Sequence, residues 1–361
     1  MKRRRVLAVA VAVTAVASLS ACTTTWTPDE DKRGASPMAP APTDNVKKPI
    51  QGLIDRQGMP KGKNRQYVSG FVVKVRWADL QPSENGSIAS PNAIDAALNK
   101  VRDPSSPAYG LKLKVRVFAG VDSPEWSKRL GGAPVKYVNT KPGSSVMSGT
   151  LPRFWTTAYG TAYAALQSKL ATKYDSVAEI REVTVSRCST LYDEMFARQL
   201  GSAQNTAAMR AAGYATDLDK KCIKEAISAH AVWKRTISDV AFGPLPVLEE
   251  PDGDADMAFT LQMMTYCRQV LDDRCGLQNN SLSMDKMATP RYVKIYDEMR
   301  RLGPPSVIQT ATNARIGEPR SVLSYAVGVG VNSVELPQGY DEWSGSVLAT
   351  AKGNLSKNAL P

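Results

Sequence analysis

The 361-residue chain has a single histidine, His230. That scarcity excludes Ser-His-Asp triads, Cys-His pairs and histidine-ligated zinc. His230 lies within KEAISAHAVWKR, a helical pattern remote from any strand end, and reads as a satisfied helix residue. There is no Cys-x-x-Cys, no P-loop and no dinucleotide fingerprint, so neither a metal nor a cofactor is expected. The chain also lacks a dense Lys/Arg run and any zinc-finger or RNP-like pattern, which argues against a nucleic-acid partner. No repeat of solenoid type appears. The long apolar run Val6–Leu19 is too short for a comfortable membrane span.

What is present at the N-terminus is an export signal. Lys2, Arg3, Arg4 and Arg5 precede that apolar run, as in a secretory signal peptide. Leu19-Ser20-Ala21-Cys22 resembles a bacterial lipobox, which implies cleavage before Cys22 and attachment of lipid to its sulfur. Residues 1–21 are therefore read as a lipoprotein signal peptide. Residues 22–48, rich in Pro, Thr, Ala and charge, read as a flexible tether. The expected location is outside the cytoplasm, with the chain anchored to the cell membrane through Cys22. Loss of the four basic residues takes the formal net charge from +12 to +8. That is a moderate excess, suited to weak attraction to anionic lipid or cell-wall polymer.

Four cysteines follow Cys22: Cys188, Cys222, Cys267 and Cys275. An even number in an exported protein suggests two disulfides, with three possible pairings. The closeness of Cys267 to Cys275 favours their union, which leaves Cys188 with Cys222.

From Pro49 onward the chain alternates apolar strand candidates with helical patterns. The strands are Phe71–Val75, Leu111–Phe118, Glu182–Ser186, Ile237–Phe242, Cys275–Gln278, Val307–Thr310 and Val331–Leu336. The helices are Ala93–Val101, Trp155–Tyr174, Asp217–Lys234, Thr260–Leu271, Thr289–Leu302 and Pro319–Val327. Alternation of this kind predicts a parallel sheet covered by helices. Seven clear strands, and an eighth expected near Ile50–Ile54, favour closure into an α/β (β/α)8 TIM barrel over residues 49–361 rather than an open doubly wound sheet. Barrels place their chemistry at the C-terminal strand ends. Here those ends carry Arg76, Trp77 and Asp79, then Asp122, Glu125 and Trp126. The long segments Gly131–Arg153 and Gly243–Asp256 are expected to shape a cleft. Within the second, Asp252, Asp254 and Asp256 have calcium-like spacing but lack the terminal glutamate of an EF-hand loop. A solvated turn is the expectation.

The order of these features resembles the retaining glycoside hydrolases built on a (β/α)8 barrel, the β-galactosidase-like and cellulase-like members above all. Trp77-Ala78-Asp79-Leu80-Gln81-Pro82 with Gly86 matches a segment after an early strand, and Pro124-Glu125-Trp126 matches a Pro-x-Trp after the next. Val334-Glu335-Leu336-Pro337 with Gly339-Tyr340 fits the end of the last strand. The resemblance implies an acid/base glutamate after the fourth strand. This chain instead reads Ser186-Arg187-Cys188-Ser189-Thr190-Leu191-Tyr192-Asp193-Glu194 where the family has Asn-Glu. It also implies a nucleophilic glutamate at the end of the seventh strand, and Val307–Asn313 contains no carboxylate.

The expectation from residues and resemblance together is a glycoside hydrolase-like protein acting on a glycan. Glu194 is the candidate general acid and Glu335 the candidate second carboxylate. Such a pair must lie about 5–5.5 Å apart for retention or about 6.5–9.5 Å apart for inversion. The alternative is an inactive barrel that binds a glycan or a protein partner. Candidate substrate contacts are Arg76, Trp77, Asp122, Trp126, Arg187, Tyr192, Asn279, Asn280, Gln309 and Tyr340: aromatic faces stack on sugar rings, and amides match vicinal hydroxyls. For each, packing or capping is the plain alternative. Glu335 could equally be a buried structural carboxylate paired with Arg76 or Arg116. A monomer is expected.

Overall fold

In a computed structural model of the chain, residues 46–60, 62–140, 148–192, 194–249 and 255–360 can be described. The signal peptide, Cys22, most of the tether, Asp193, Asp252 and Asp254 lie outside the described residues. Eight parallel strands close into a barrel. In chain order these are β1 (Gly52–Asp55), β2 (Val68–Arg76), β3 (Lys112–Phe118), β6 (Ile180–Thr184), β7 (Ile237–Ala241), β8 (Cys275–Leu282), β9 (Ser306–Thr310) and β10 (Ser333–Leu336). β4 (Val135–Tyr137) and β5 (Gly149–Leu151) form a separate antiparallel pair inside the segment read as a long loop. β1 pairs with β10, so the ring has no free edge.

The helices are α1 (Trp77–Leu80), α2 (Ala93–Arg102), α3 (Glu125–Lys128), α4 (Thr157–Tyr174), α5 (Ala203–Ala211), α6 (Thr216–Ala229), α7 (Met257–Leu271), α8 (Met284–Ala288), α9 (Pro290–Leu302), α10 (Pro319–Val329) and α11 (Gly345–Leu355). Local chemistry sets several of their starts. Asn92 caps α2 in a reciprocal capping box with Asp95. Asp256 caps α7. Glu318 accepts from the amides of Arg320 and Ser321 at the start of α10, with Pro319 at its first position.

Strand periodicity divides the barrel into two environments. In β3, Leu113, Val115 and Val117 join the main apolar core with helix side chains such as Ile94, Leu98 and Leu166. Lys114 and Arg116 point the other way, into the ring, and are buried. A small separate cluster of Ile50, Ile54 and Val72 fills part of that interior. Contacts with the barrel extend ahead of β1. Lys47 is buried, and its Nζ donates to the carbonyls of Val177 and Ile180 and to Thr236 Oγ1, each at 2.8 Å.

Both disulfides form in the favoured pairing. Cys188–Cys222 ties the segment after β6 to α6, and Cys267–Cys275 ties α7 to β8. His230 caps the C-terminal end of α6 and opens a short 3-10 helix, His230–Val232. It is buried between Tyr163 Oη and Ser238 Oγ, each 3.0 Å away, and burial lowers its pKa to about 3. It therefore stays neutral and structural.

Candidate functional site

The barrel interior holds a cluster of charges. Lys114 Nζ lies 2.8 Å from Asp239 Oδ2, 2.9 Å from Glu335 Oε1 and 3.7 Å from Glu182 Oε2. It also donates to Gln278 Oε1 at 2.6 Å. Arg116 Nη2 bonds both oxygens of Glu335, at 2.9 and 2.8 Å, and Nη1 bonds Gln309 Oε1 at 3.2 Å. Burial by itself would raise the Glu335 carboxyl, but Arg116 and Lys114 outweigh it and bring its pKa down to about 2. Burial, together with Asp239 next to it, pushes Glu182 well above the ordinary carboxylate range, and burial pushes Asp239 up too. Gly276 makes the arrangement possible: a Cβ at that position would fall on the Asp239 carboxylate.

Glu335, the candidate second carboxylate, has no solvent exposure and is clamped by Lys114 and Arg116. Gln309, a candidate substrate amide, accepts from Arg116.

Glu194 sits elsewhere, in a cavity of about 270 Å³ at the C-terminal ends of β6, β7 and β8. Its walls include Phe196, Arg198, Phe242, Asn280, Lys286 and Tyr292. Residues 194–200 are bends and turns. Glu194 Oε1 accepts from Arg198 Nη2 at 2.7 Å and from Asn280 Nδ2 at 3.2 Å. Its Oε2 has no hydrogen-bond partner among the described residues. Burial pushes the carboxyl up, but Arg198 and Asn280 hold it below its usual range. Asn280 Oδ1 accepts from Gln278 Nε2 at 2.5 Å. A continuous chain of polar contacts therefore runs from Lys114 through Gln278 and Asn280 to Glu194. Asn279 also lines the cavity, yet both ends of its amide are engaged, by Phe242 O and Tyr296 Oη.

Arg76 and Asp122 come together in a second cavity, of about 700 Å³, at the ends of β2 and β3. There Arg76 is paired to both oxygens of Asp79. Burial raises the Asp122 carboxyl, with Arg76 opposing.

The aromatic platform expected from Trp77, Trp126, Tyr192 and Tyr340 is not assembled. Trp77 is fully buried, edge-on to Trp126 at 5.8 Å and packed on Tyr159 and Tyr163. Trp126 Nε1 donates to Gln81 O. Tyr192 packs half-buried on the core. Tyr340 donates to Asp55 Oδ2 at 2.9 Å and is buried. Arg187 braces α4 and α6, donating to Phe154 O, Thr156 O and Glu225. Packing wins at these positions because a large ring at a strand end lies under the next helix rather than over the mouth. The cavity's own cations and rings, Arg198, Lys286, Arg291, Phe196, Phe242 and Tyr292, are not foreseen from the sequence. They come from loops and short helices that only the fold brings together. Among the described residues, no group of three or more His, Cys, Asp or Glu side chains could hold a metal ion.

No protein-family model matches the chain, and comparison with curated proteins finds no match. Solved structures with a similar barrel include glycoside hydrolases. An endo-glycoceramidase II from Rhodococcus sp. aligns over 80% of this chain and 72% of its own, at 13% identity and a TM-score of 0.43. A β-galactosidase from Rahnella sp. R3 aligns over 87% of this chain and 58% of its own, at 13% identity and 0.49. A broad-specificity endoglucanase from an uncultured bacterium aligns over 83% and 86%, at 11% identity and 0.48. The likeness is one of barrel architecture.

Proposed function

We propose that this protein is an exported, lipid-anchored (β/α)8 barrel that binds a glycan in the Glu194 cavity and does not cleave it. The observation that carries the reading is the ion pairing of both expected catalytic carboxylates. Glycoside hydrolysis needs one carboxyl that keeps a proton near neutral pH and another that attacks or activates water. Glu194 is held ionised by Arg198, and Glu335 is sealed against Lys114 and Arg116. Gln309 stands at the strand end where the resembled enzymes carry their nucleophile.

Binding is supported by the cavity itself. Phe196, Phe242 and Tyr292 give apolar walls for a sugar's C–H face, while Glu194 Oε2 is available to hydroxyl groups. Export and anchoring rest on the basic start, the apolar run and Cys22. The hydrolytic alternative keeps one supporting observation, the unpartnered Glu194 Oε2. The test is a panel of aryl-glycosides and polysaccharides, read for retention and for product release. The expected result is retention on at least one polysaccharide with no release above buffer. Release that disappears in Glu194→Gln would overturn the non-cleaving reading, and no retention on any glycan would overturn the binding one.

A further inference from the structure

Among the described residues, the Glu194 cavity carries more positive than negative charge: Arg198, Lys286 and Arg291 line it, against Glu194. Glu194 is already engaged by Arg198 at 2.7 Å. Lys286 and Arg291 have no ion-pair partner among the described residues. Lys286 Nζ bonds the Asn280 carbonyl at 3.2 Å and lies 4.1 Å from the Tyr292 ring centroid. The Arg291 guanidinium lies 5.9 Å from the same ring. Two cations grouped at one aromatic wall repel each other, and Lys286 also loses hydration by burial, a cost that an entering anion removes.

The neighbouring groups narrow the anion's chemistry. Glu194 repels a dianion and accepts only from a donor, so a guest needs hydroxyls as well as negative charge. A bare inorganic anion supplies no C–H face for Phe196 or Phe242. A volume of about 270 Å³ lies near the small end of ordinary ligand sites, which run to roughly 300–1,000 Å³. A single sugar unit suits that scale.

Resting on the glycan-binding reading, we infer that the cavity selects sugars bearing a carboxylate: the carboxylate meets Lys286 and Arg291, and the hydroxyls meet Glu194 Oε2. The charged groups around Lys286 are Arg198, Glu194, Arg315 and Arg291. Burial and the arginines hold Lys286 down to about 8, with Glu194 opposing. A carboxylate beside it stabilises the ammonium form, so binding near pH 8 takes up a proton.

The test is calorimetric titration of the full chain with a tri-uronate, a neutral trisaccharide of the same linkage, acetate and inorganic phosphate. The tri-uronate is expected to bind about tenfold or more tighter than the neutral sugar. That preference should weaken with added NaCl, disappear in Lys286→Met and survive in Lys286→Arg. At pH 8 the measured heat should change between two buffers of different ionisation enthalpy, reporting proton uptake. Equal binding of both trisaccharides overturns acid selection and leaves the glycan reading standing. Absence of binding by both overturns the two together. Acetate or phosphate binding as tightly as the tri-uronate overturns the sugar assignment. A preference unchanged in a folded Lys286→Met variant removes that lysine from the site.

Discussion

The barrel interior and the Glu194 cavity are built from the same residue types, yet their charges are settled differently. Inside the ring, Lys114 lies against Glu182, Asp239 and Glu335, and Arg116 clamps Glu335. In the cavity, among the described residues, three cations meet one carboxylate. The two are joined through Gln278 and Asn280. Ions that satisfy one another in a sealed space serve the fold. Ions left in excess beside an opening are suited to an external partner.

The strongest challenge to this contrast is removal of the interior cation. Lys114→Met leaves Asp239 and Glu335 short of their buried partner and should cost about 3–5 kcal/mol, read by urea unfolding. A cost below about 1 kcal/mol would mean that the interior charges do not support one another.

Next come the disulfides. Cys188–Cys222 spans a separation of 34 residues and Cys267–Cys275 one of 8. Chain entropy then assigns about 4 kcal/mol to the first and about 2.5 kcal/mol to the second. Paired Cys→Ser variants, compared by unfolding, should show that order. Only loss of the first should also weaken ligand binding, because it anchors the segment that carries Glu194.

Acid sharpens the comparison further. Glu335 has a folded pKa of about 2 against an ordinary 4.5. Its contribution is therefore fully present above the ordinary value and is lost as pH falls from about 4.5 through about 2. The loss is about 3 kcal/mol. Glu335→Gln should remove that part of the acid slope in unfolding measured across this range.

The smallest effect belongs to the cavity and has the opposite sign. Lys286 is lowered from 10.5 to about 8, so its folded form sheds the proton first and stability rises with pH between those values. Lys286→Met should flatten that rise and, at pH 7, stabilise the protein by roughly 1–2 kcal/mol. A stability loss instead would place Lys286 among the structural ions.

The sequence made the ring legible because its strands are short apolar runs separated by amphipathic helices. β2, β3 and β7 to β10 fall within a few residues of their expected places. The first strand, Gly-Leu-Ile-Asp, is weak in sequence because it has four residues and begins with a glycine at φ +117°. α5, α11 and the β4–β5 pair were not foreseen; α5 is polar and Ala-rich, and the hairpin strands have three residues each.

The site was less legible. Glu194 and Asn280 do share a cavity, but Trp77, Arg187 and Tyr340 are drawn into packing that linear position does not reveal. One signal was available in β3, where Lys112, Lys114 and Arg116 alternate with Leu113, Val115 and Val117. Period-two charge places cations on a single face, and Glu182, Asp239 and Glu335 are each the one acid of their strand as their counterparts. Lys286 and Arg291 gave no such signal, since α8 and α9 carry charge on many exposed positions.

Gly276 has a consequence for descent. Any side chain there collides with the carboxylate at 239, so a lineage that gains alanine at 276 must first shed or shrink the acid across from it. Once the acid is gone, Lys114 carries surplus charge and becomes free to drift as well. Glycine at 276, acid at 239 and lysine at 114 should therefore be inherited as a block.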